Sequence, residues 1–363
     1  MYKILKILIA GDSFMKSDII KIHLQEILSK VDMNLNIRTI EWTTREYQKN
    51  VLQGVRRLIE EFSGDPKELA KEMGDTQVLV VHAAPVTVEV LDASKNLKIV
   101  ACTRGGAVNV DVDAATDRGI PVINTPGRNA DAVADYTIGF ILAETRSIAR
   151  AFEDLRKGNW KYEYYDYEIC GYELAGKSLG LIGFGQVGRK VAQRAKGFEM
   201  NVLVYDPYVR SEDILAMGCQ PVDLEKLLKE SDFVSIHARL TPSTVKMIGA
   251  KEIALMKKTA YLINTARGRL VDQKALYEAL ENRRIAGAAL DVFENEPLSK
   301  SDPILTYDNV TITPHIGGAA KDVVARAAKM VAEDIKRLLE VKTPLYCVNP
   351  SALSKWEKFD LLG

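Results

Sequence analysis

The sequence predicts an α/β protein made of two doubly wound, parallel-sheet domains. Short apolar runs alternate with amphipathic stretches through the N-terminal third, and again from Ser178 to about Thr313. That alternation sets parallel strands in a sheet with helices on both faces. The chain has 363 residues, which at ~150 residues per domain suggests two domains.

Taken in order, Ile4–Ala10 reads as a buried strand. Ser17 reads as the cap of a helix whose apolar face holds Ile20, Leu24, Ile27 and Leu28. Asp65-Pro66 reads as a helix cap followed by a first-turn proline, within extra helical sequence around Thr44–Met73. Val78–Val81 and Leu97–Ala101 read as further strands. After the break at Asn124-Thr125-Pro126-Gly127, one long helix is expected from near Asn129 or Asp131. Val133, Tyr136, Thr137, Phe140 and Ile141 recur at helical spacing, and Ile148, Phe152 and Leu155 continue the pattern.

Between 158 and 174 lie Trp160, Tyr162, Tyr164, Tyr165, Tyr167 and Tyr172, alternating on one parity to Tyr164 and on the other from Tyr165. This reads as an extended, kinked arm, either a tyrosine-rich surface loop or a subunit contact. Strands are then expected at Ser178–Ile182, Val202–Tyr205, Phe233–Ile236, Ala260–Ile263, Ala286–Leu290 and Val310–Thr313. A last helix carries Val324, Ala328, Val331, Ile335 and Leu338 on one face.

Lys+Arg and Asp+Glu are both 49, which argues against a nucleic-acid or anionic-membrane partner needing a clustered basic excess. The four cysteines (Cys102, Cys170, Cys219, Cys347) are far apart and form no CxxC pair. Four histidines show no metal-ligand spacing. Neither a disulfide framework nor a metal site is expected, and a reducing cytoplasm is the expected location. No run approaches the ~18 apolar residues of a membrane helix, and the run at the N-terminus is too short and interrupted for a signal peptide.

The first chemical motif is GFGQVG, residues 183–188, between the apolar strand Leu179–Ile182 and a helical stretch. Gly183 permits the tight turn, Gly185 lets backbone approach a pyrophosphate, and Gly188 lets helix pack on strand. The helix N-terminus offers free N–H groups to phosphates. Asp206, ending the next strand 23 residues after Gly183, is placed for the ribose hydroxyls. A carboxylate there opposes a 2′-phosphate, so NAD is favoured over NADP, with Arg210 and Arg239 as candidates to soften the exclusion. Candidate cofactor contacts are Gly183, Gly185, Gln186, Val187, Gly188 and Asp206, with His237, Thr265, Asp291, His315 and Gly317 on later strand ends.

The second constellation sits at the ends of three later strands: NTARG (264–268) with Arg267, DVFENEP (291–297) with Asp291 and Glu296, and TPHIGG (313–318) with His315. Taken singly, they read as a surface arginine, a turn acid and a loop histidine. Together, beyond the carboxyl ends of parallel strands, they make a catalytic set. Oxidising a secondary alcohol needs a base for the hydroxyl proton, and histidine titrates in the right range. A carboxylate beside it fixes the tautomer, and an arginine grips a substrate carboxylate through two parallel hydrogen bonds.

On these motifs the chain resembles the D-isomer-specific 2-hydroxyacid dehydrogenase family, especially its phosphoglycerate dehydrogenase-like branch. NTARGRLVDQKALYEAL (264–280), AGAALDVFENEPL (286–298) and TPHIGG carry the resemblance, which extends from about Val78 into the last helix. It implies Arg267, Glu296 and His315 as the catalytic residues, Asp291 on the nicotinamide side, and NAD as cofactor. It also implies a Rossmann-type cofactor domain, 126–315, inserted into a flavodoxin-like substrate domain, 1–125 and 316–363. Trp160 matches a tryptophan that packs into the neighbouring subunit in some relatives, which implies a homodimer built on the cofactor domain.

The match departs from the family in its substrate-reading parts. The usual GxGxDN loop is replaced by ACTRGGAVNVD, residues 101–111, one residue shorter, with Arg104 where the pattern has glycine. Gly105 and Gly106 can still present amides to a substrate carboxylate. Arg104 either reaches into the cleft or forms a surface salt bridge. His82, where relatives carry a small polar residue, is either a substrate contact or a structural loop histidine. The usual proline of the family's HxP segment is missing from His237-Ala238-Arg239. The expected activity is hydride transfer between NAD and a small anionic 2-hydroxy or 2-keto acid. Formate- or phosphite-type oxidation and a dinucleotide-sensing corepressor-like protein are the alternatives.

Overall fold

The computed structural model describes residues 4–42 and 59–356. The chain divides into two compact units, Met1–Arg128 with Ala320–Gly363, and Asn129–Ala319.

The first unit begins β1 (Ile4–Asp12), α1 (Ser17–Leu28), β2 (Asn34–Trp42), α2 (Pro66–Met73), β3 (Val78–Val81), α3 (Val88–Asp92), β4 (Ile99–Cys102), α4 (Val112–Asp117) and β5 (Val122–Ile123). Its five strands run in the order β2-β1-β3-β4-β5, every pair parallel. This is the flavodoxin-type order, with its switch point between β1 and β3. Strand parity sorts the core. Ile7, Ile9, Val78 and Val80 pack with α1 on one face, while Leu8, Ala10, Leu79 and Val81 pack with Leu69, Val90 and Ala114 on the other. Both faces are buried, so these strands read as continuous apolar runs.

Two expectations change here. Ser17 is the first helical residue rather than the cap. The Glu41 carboxylate at the end of β2 accepts from the Ser17 amide and hydroxyl, so the capping acceptor arrives from a neighbouring strand. Of the helical sequence expected over 44–73, residues up to 58 lie outside the described residues. Asp65 caps α2 by accepting from the Lys67 N–H at 2.9 Å, with Pro66 in the first turn.

The second unit contains α5 (Ala130–Thr145), α6 (Ile148–Arg156), β6 (Ser178–Ile182), α7 (Gln186–Gly197), β7 (Asn201–Tyr205), α8 (Ser211–Ala216), β8 (Gln220–Pro221), α9 (Leu224–Glu230), β9 (Phe233–Ile236), α10 (Ala250–Leu255), β10 (Tyr261–Asn264), α11 (Gln273–Glu281), β11 (Gly287–Leu290) and β12 (Val310–Ile312). Its seven parallel strands run β12-β11-β10-β9-β6-β7-β8. The order reverses between β6 and β9, the Rossmann switch point.

The long helix expected from 129 to 155 is two helices. Ser147 takes a left-handed conformation, φ 52°. The Glu144 carbonyl, which would continue the helix, instead accepts from the Ser147 amide at 3.3 Å and from Arg150 Nη2 at 2.9 Å. The aromatic arm is not simply extended. Its change of parity falls in a 3₁₀ turn, Tyr162–Tyr165, and Tyr164 donates to Asp154 at 2.7 Å.

The chain returns to the first unit as α12 (Lys321–Leu339), whose Val324, Ala328, Val331, Ile335 and Leu338 complete the core beside α1. Asn349 then accepts from the Val122 amide at 2.7 Å and donates to the Ile120 carbonyl at 3.0 Å. Among the described residues, no helix is long and apolar enough to cross a membrane.

Candidate active site

In the second unit the 183–188 loop has the geometry its glycines predict. Gly183 has φ 99°, and a Cβ there would come within 2.7 Å of the His237–Ala238 backbone. A Cβ on Gly188 would run into the Gly183 carbonyl, whereas one on Gly185 would meet nothing within 4 Å. So two glycines are required by packing, and the third leaves open space in front of α7. The first N–H groups of α7, including those of Gln186, Val187 and Gly188, have no acceptor within the helix. That cradle fits a pyrophosphate. Asp206 closes the loop, accepting from the Phe184 amide at 2.7 Å and the Tyr208 amide at 2.9 Å. Each oxygen keeps a second acceptor site for ribose hydroxyls. Arg210 is drawn away by Asp213, at 2.9 and 3.0 Å.

His237 and Thr265 point their polar atoms into the unit. The His237 ring shares a 2.9 Å hydrogen bond with Ser235, and burial pushes its pKa down to about 3. Its backbone, rather than its ring, lies against Gly183. Thr265 shares a 3.0 Å hydrogen bond with Thr137.

Beyond the carboxyl ends of β10, β11 and β12, the catalytic candidates come together. His315 Nδ1 lies 2.8 Å from Glu296 Oε2, and Glu296 Oε1 accepts from the Phe293 amide at 2.9 Å. The Glu296 hydrogen bond raises the His315 pKa above the ordinary value, burial opposes it, and the nearby Arg267 charge also pulls it down. The imidazole is 41% exposed. With Nδ1 held by Glu296, Nε2 is the nitrogen that faces solvent. His315 sits at φ 56°, and Asp291 holds it there. Asp291 is 1% exposed. Its carboxylate accepts from the amides of Ile316 at 2.8 Å and Gly317 at 2.7 Å and from the Thr313 hydroxyl at 2.6 Å. Its carbonyl accepts from the His315 amide at 2.8 Å. Arg267 is set on its turn by Asn264, which donates to its carbonyl at 2.9 Å.

The substrate-reading candidates lie in the first unit, on loops after β3 and β4. The Gly105 and Gly106 amides are exposed and donate to no group among the described residues. His82 is 5% exposed, with Nδ1 2.5 Å from Asp12 Oδ2 at the end of β1. Burial lowers the His82 pKa, and the Asp12 hydrogen bond only partly offsets it. Burial alone would raise the Asp12 carboxyl, but His82 and the Phe14 and Met15 amides carry it below the usual range. At neutral pH the pair is therefore a neutral imidazole donating to a carboxylate. Arg128 Nη2 lies 3.5 Å from the other ring nitrogen. Arg104 pairs with the Glu61 carboxylate and donates to the Glu61 carbonyl at 2.6 Å. The sequence singled out neither Asp12 nor Glu61. Asp12's place directly after an apolar strand was the only available signal.

A profile described as "D-isomer specific 2-hydroxyacid dehydrogenase, NAD binding domain" matches residues 138–317. A D-3-phosphoglycerate dehydrogenase of Methanocaldococcus jannaschii is 44% identical over 276 residues, covering 75% of this chain and 52% of the relative. A glyoxylate reductase of Korarchaeum cryptofilum is 42% identical over 284 residues, covering 78% of this chain and 86% of the relative. The chain thus spans about half the length of the first relative and most of the second. The crystal structure of a glyoxylate reductase from Paecilomyes thermophila superposes with a TM-score of 0.72 at 28% identity, covering 96% of this chain and 99% of that one.

Proposed function

The chain belongs to the D-isomer-specific 2-hydroxyacid dehydrogenase family, and we propose that it is an NAD-dependent oxidoreductase of hydroxy and keto acids whose residues divide the work as follows. The observation that carries the reading is the 2.8 Å His315–Glu296 pair, with the Arg267 charge within its electrostatic reach. His315 Nε2 gives a proton to the carbonyl oxygen in reduction and takes it from the hydroxyl in oxidation. Glu296 holds the ring in that tautomer and stabilises the imidazolium. Arg267 clamps the substrate carboxylate and polarises the reacting oxygen. Gly183–Gly188 and Asp206 hold NAD, which supplies the hydride acceptor when bound. Asp291 shapes the 313–317 turn and keeps one acceptor site for the nicotinamide side.

The second unit is the cofactor-binding part and the first the substrate-binding part. There the Gly105 and Gly106 amides meet the carboxylate of a small anionic acid, with Arg104 beside them, and the buried His82 supports the loop. Asp206 makes NAD the preferred nicotinamide over NADP. The enzyme is a homodimer through the aromatic arm, because Trp160 is 70%, Tyr165 92% and Tyr167 88% exposed beside the exposed Phe152 and Leu155 of α6.

The test is consumption of NADH and NADPH against glyoxylate, hydroxypyruvate, pyruvate and 3-phosphohydroxypyruvate, with sedimentation for the dimer. Turnover with NADH and at least one keto acid is expected. No turnover with any would overturn the assignment.

A further inference from the structure

The first unit carries a charged pair, Glu61 with Arg104, at the loops that depart from the family pattern. A short segment, residues 59–64, lies along both loops that depart from the family pattern. The Glu60 amide donates to the Val108 carbonyl at 3.0 Å, and the Ser63 amide to the Ala83 carbonyl at 3.0 Å. Trp42 Nε1 donates to the Ser63 carbonyl at 2.6 Å, and a Cβ on Gly64 (φ 83°) would meet that indole ring at 2.5 Å. The segment is therefore held at Glu60, Ser63 and Gly64. It delivers Glu61, itself left-handed at φ 52°, to Arg104. The Glu61 side chain is 32% exposed and that of Arg104 12%. The pair is supported from behind by protein and open to water on the carboxylate side. It sits just beyond the carboxyl end of β4, where open α/β sheets bind ligands.

What such a pair can recognise follows from its charges. A hydroxyl is at once a donor and an acceptor. A carboxylate held against a guanidinium offers both complements side by side, so adjacent hydroxyls on one carbon chain can bridge them. A terminal phosphate finds the reverse. At ~4 Å from both groups, the repulsion by Glu61, ~4 kcal/mol per unit charge at an effective dielectric of ~20, cancels the attraction of Arg104, so a phosphate would have to displace Glu61 to gain from the guanidinium. Of the cations near these loops, Arg104 is already paired with Glu61, and Arg128, 9% exposed, lies 3.5 Å from the His82 ring, whose other nitrogen meets the Asp12 carboxylate.

We propose that Glu61 and Arg104 form a hydroxyl-reading subsite, which makes the substrate a polyhydroxylated 2-keto or 2-hydroxy acid rather than a phosphorylated one. This rests on the reading of the first unit as the substrate-binding part. The keto acid and its hydroxyl-bearing tail bind together, the carboxylate on the Gly105–Gly106 amides and the tail hydroxyls on the charged pair. Glu61 accepts from a tail hydroxyl, and Arg104 donates to the same or the next one.

The experiment measures kcat/KM with NADH for glyoxylate, hydroxypyruvate, 2-keto-D-gluconate and 3-phosphohydroxypyruvate, in the full chain and in Glu61→Gln and Arg104→Lys. The native protein is expected to prefer 2-keto-D-gluconate to 3-phosphohydroxypyruvate by ~10-fold or more, since a site built to hydrogen-bond hydroxyls discriminates strongly. In Glu61→Gln, the ratio of 2-keto-D-gluconate to glyoxylate efficiency falls ~10-fold through KM, while the phosphorylated acid gains. Arg104→Lys lowers the same ratio, because one ammonium cannot span two hydroxyls. Preference for 3-phosphohydroxypyruvate, or a ratio unmoved by Glu61→Gln, overturns the subsite while leaving the family reaction standing. Absence of turnover with every acid overturns that reaction and the subsite with it.

Discussion

His82 in the first unit and His315 in the second each hold a carboxylate through Nδ1, and they end in opposite states. His315 meets Glu296 at 2.8 Å and its pKa rises, while His82 meets Asp12 at 2.5 Å and its pKa falls. The partner chemistry is the same, so the partner does not decide. Exposure leads, with the His315 side chain 41% exposed and that of His82 6%, and the charges of Arg128 and Arg104 push His82 further down. Where water can solvate the imidazolium, the carboxylate's favour dominates. Where it cannot, removing the ring from water dominates. A third ring, the half-buried His237, has no carboxylate beside it among the described residues; it shares a hydrogen bond with Ser235, and its pKa falls to about 3. The first pair, His315 with Glu296, suits the acid–base role proposed for it, and the second is a neutral imidazole tying the end of β1 to the loop after β3.

The comparison breaks most visibly through His315→Ala. Its kcat should fall by ~10²–10⁴, the usual worth of a positioned acid–base, with NADH binding retained in a fluorescence titration. A comparable loss of turnover from His82→Gln, without loss of stability, would erase the distinction. Next in size is Asp12→Ala. It leaves the His82 N–H and the Phe14 and Met15 amides without their acceptor, so unfolding in urea should show a loss of ~1–3 kcal/mol.

Glu296→Gln should cost less in rate than His315→Ala but change the pH profile. In the native protein the raised His315 pKa keeps the acid form above the ordinary range, so reduction holds up past pH ~6.5 and falls as pH rises through the raised value. Without the carboxylate that falling limb moves to lower pH, which a kcat/KM profile for reduction would reveal. The smallest effect concerns stability in acid. The native pKa of His237 lies below its unfolded value, so the unfolded chain binds more protons below pH ~6.5. Stability is therefore full above that pH and declines by about 1 kcal/mol per unit as pH drops toward 5, a slope that His237→Gln should reduce.

Much of the second unit was legible because its signals are local. Strand β6, the glycine loop and Asp206 lie within 29 residues, 178–206; Gly183 and Gly188 have a steric reason visible in their spacing, and Gly185 leaves the space in front of α7 open. Strand β9 falls on the expected residues, and β10 is displaced by one. The first unit was less legible because its pairings are remote. Asp12 and His82 are 70 residues apart, and Glu61 and Arg104 are 43 apart. Strand β2 was missed because it is an edge strand with exposed or half-exposed residues along most of its length, so it lacks the apolar run that marked its neighbours. The break at Ser147 was hidden because no glycine or proline announces it. An arginine six residues after Glu144 does the work instead.

The discontinuity of the first unit has a consequence for how the protein is made. Its sheet comes off the ribosome early, but one face of that sheet is closed by α12, and β5 is tied off by Asn349, 227 residues later. Until then Ile7, Ile9, Val78 and Val80 lack half of their cover. The inserted unit is continuous in sequence and contains all the strands of its own sheet. The part synthesised second therefore completes its fold first, and the part synthesised first waits with an apolar face open. During that interval the nascent chain is most in need of a chaperone, and substitutions in α12 should reduce the yield of folded protein more than equally buried substitutions within the insertion.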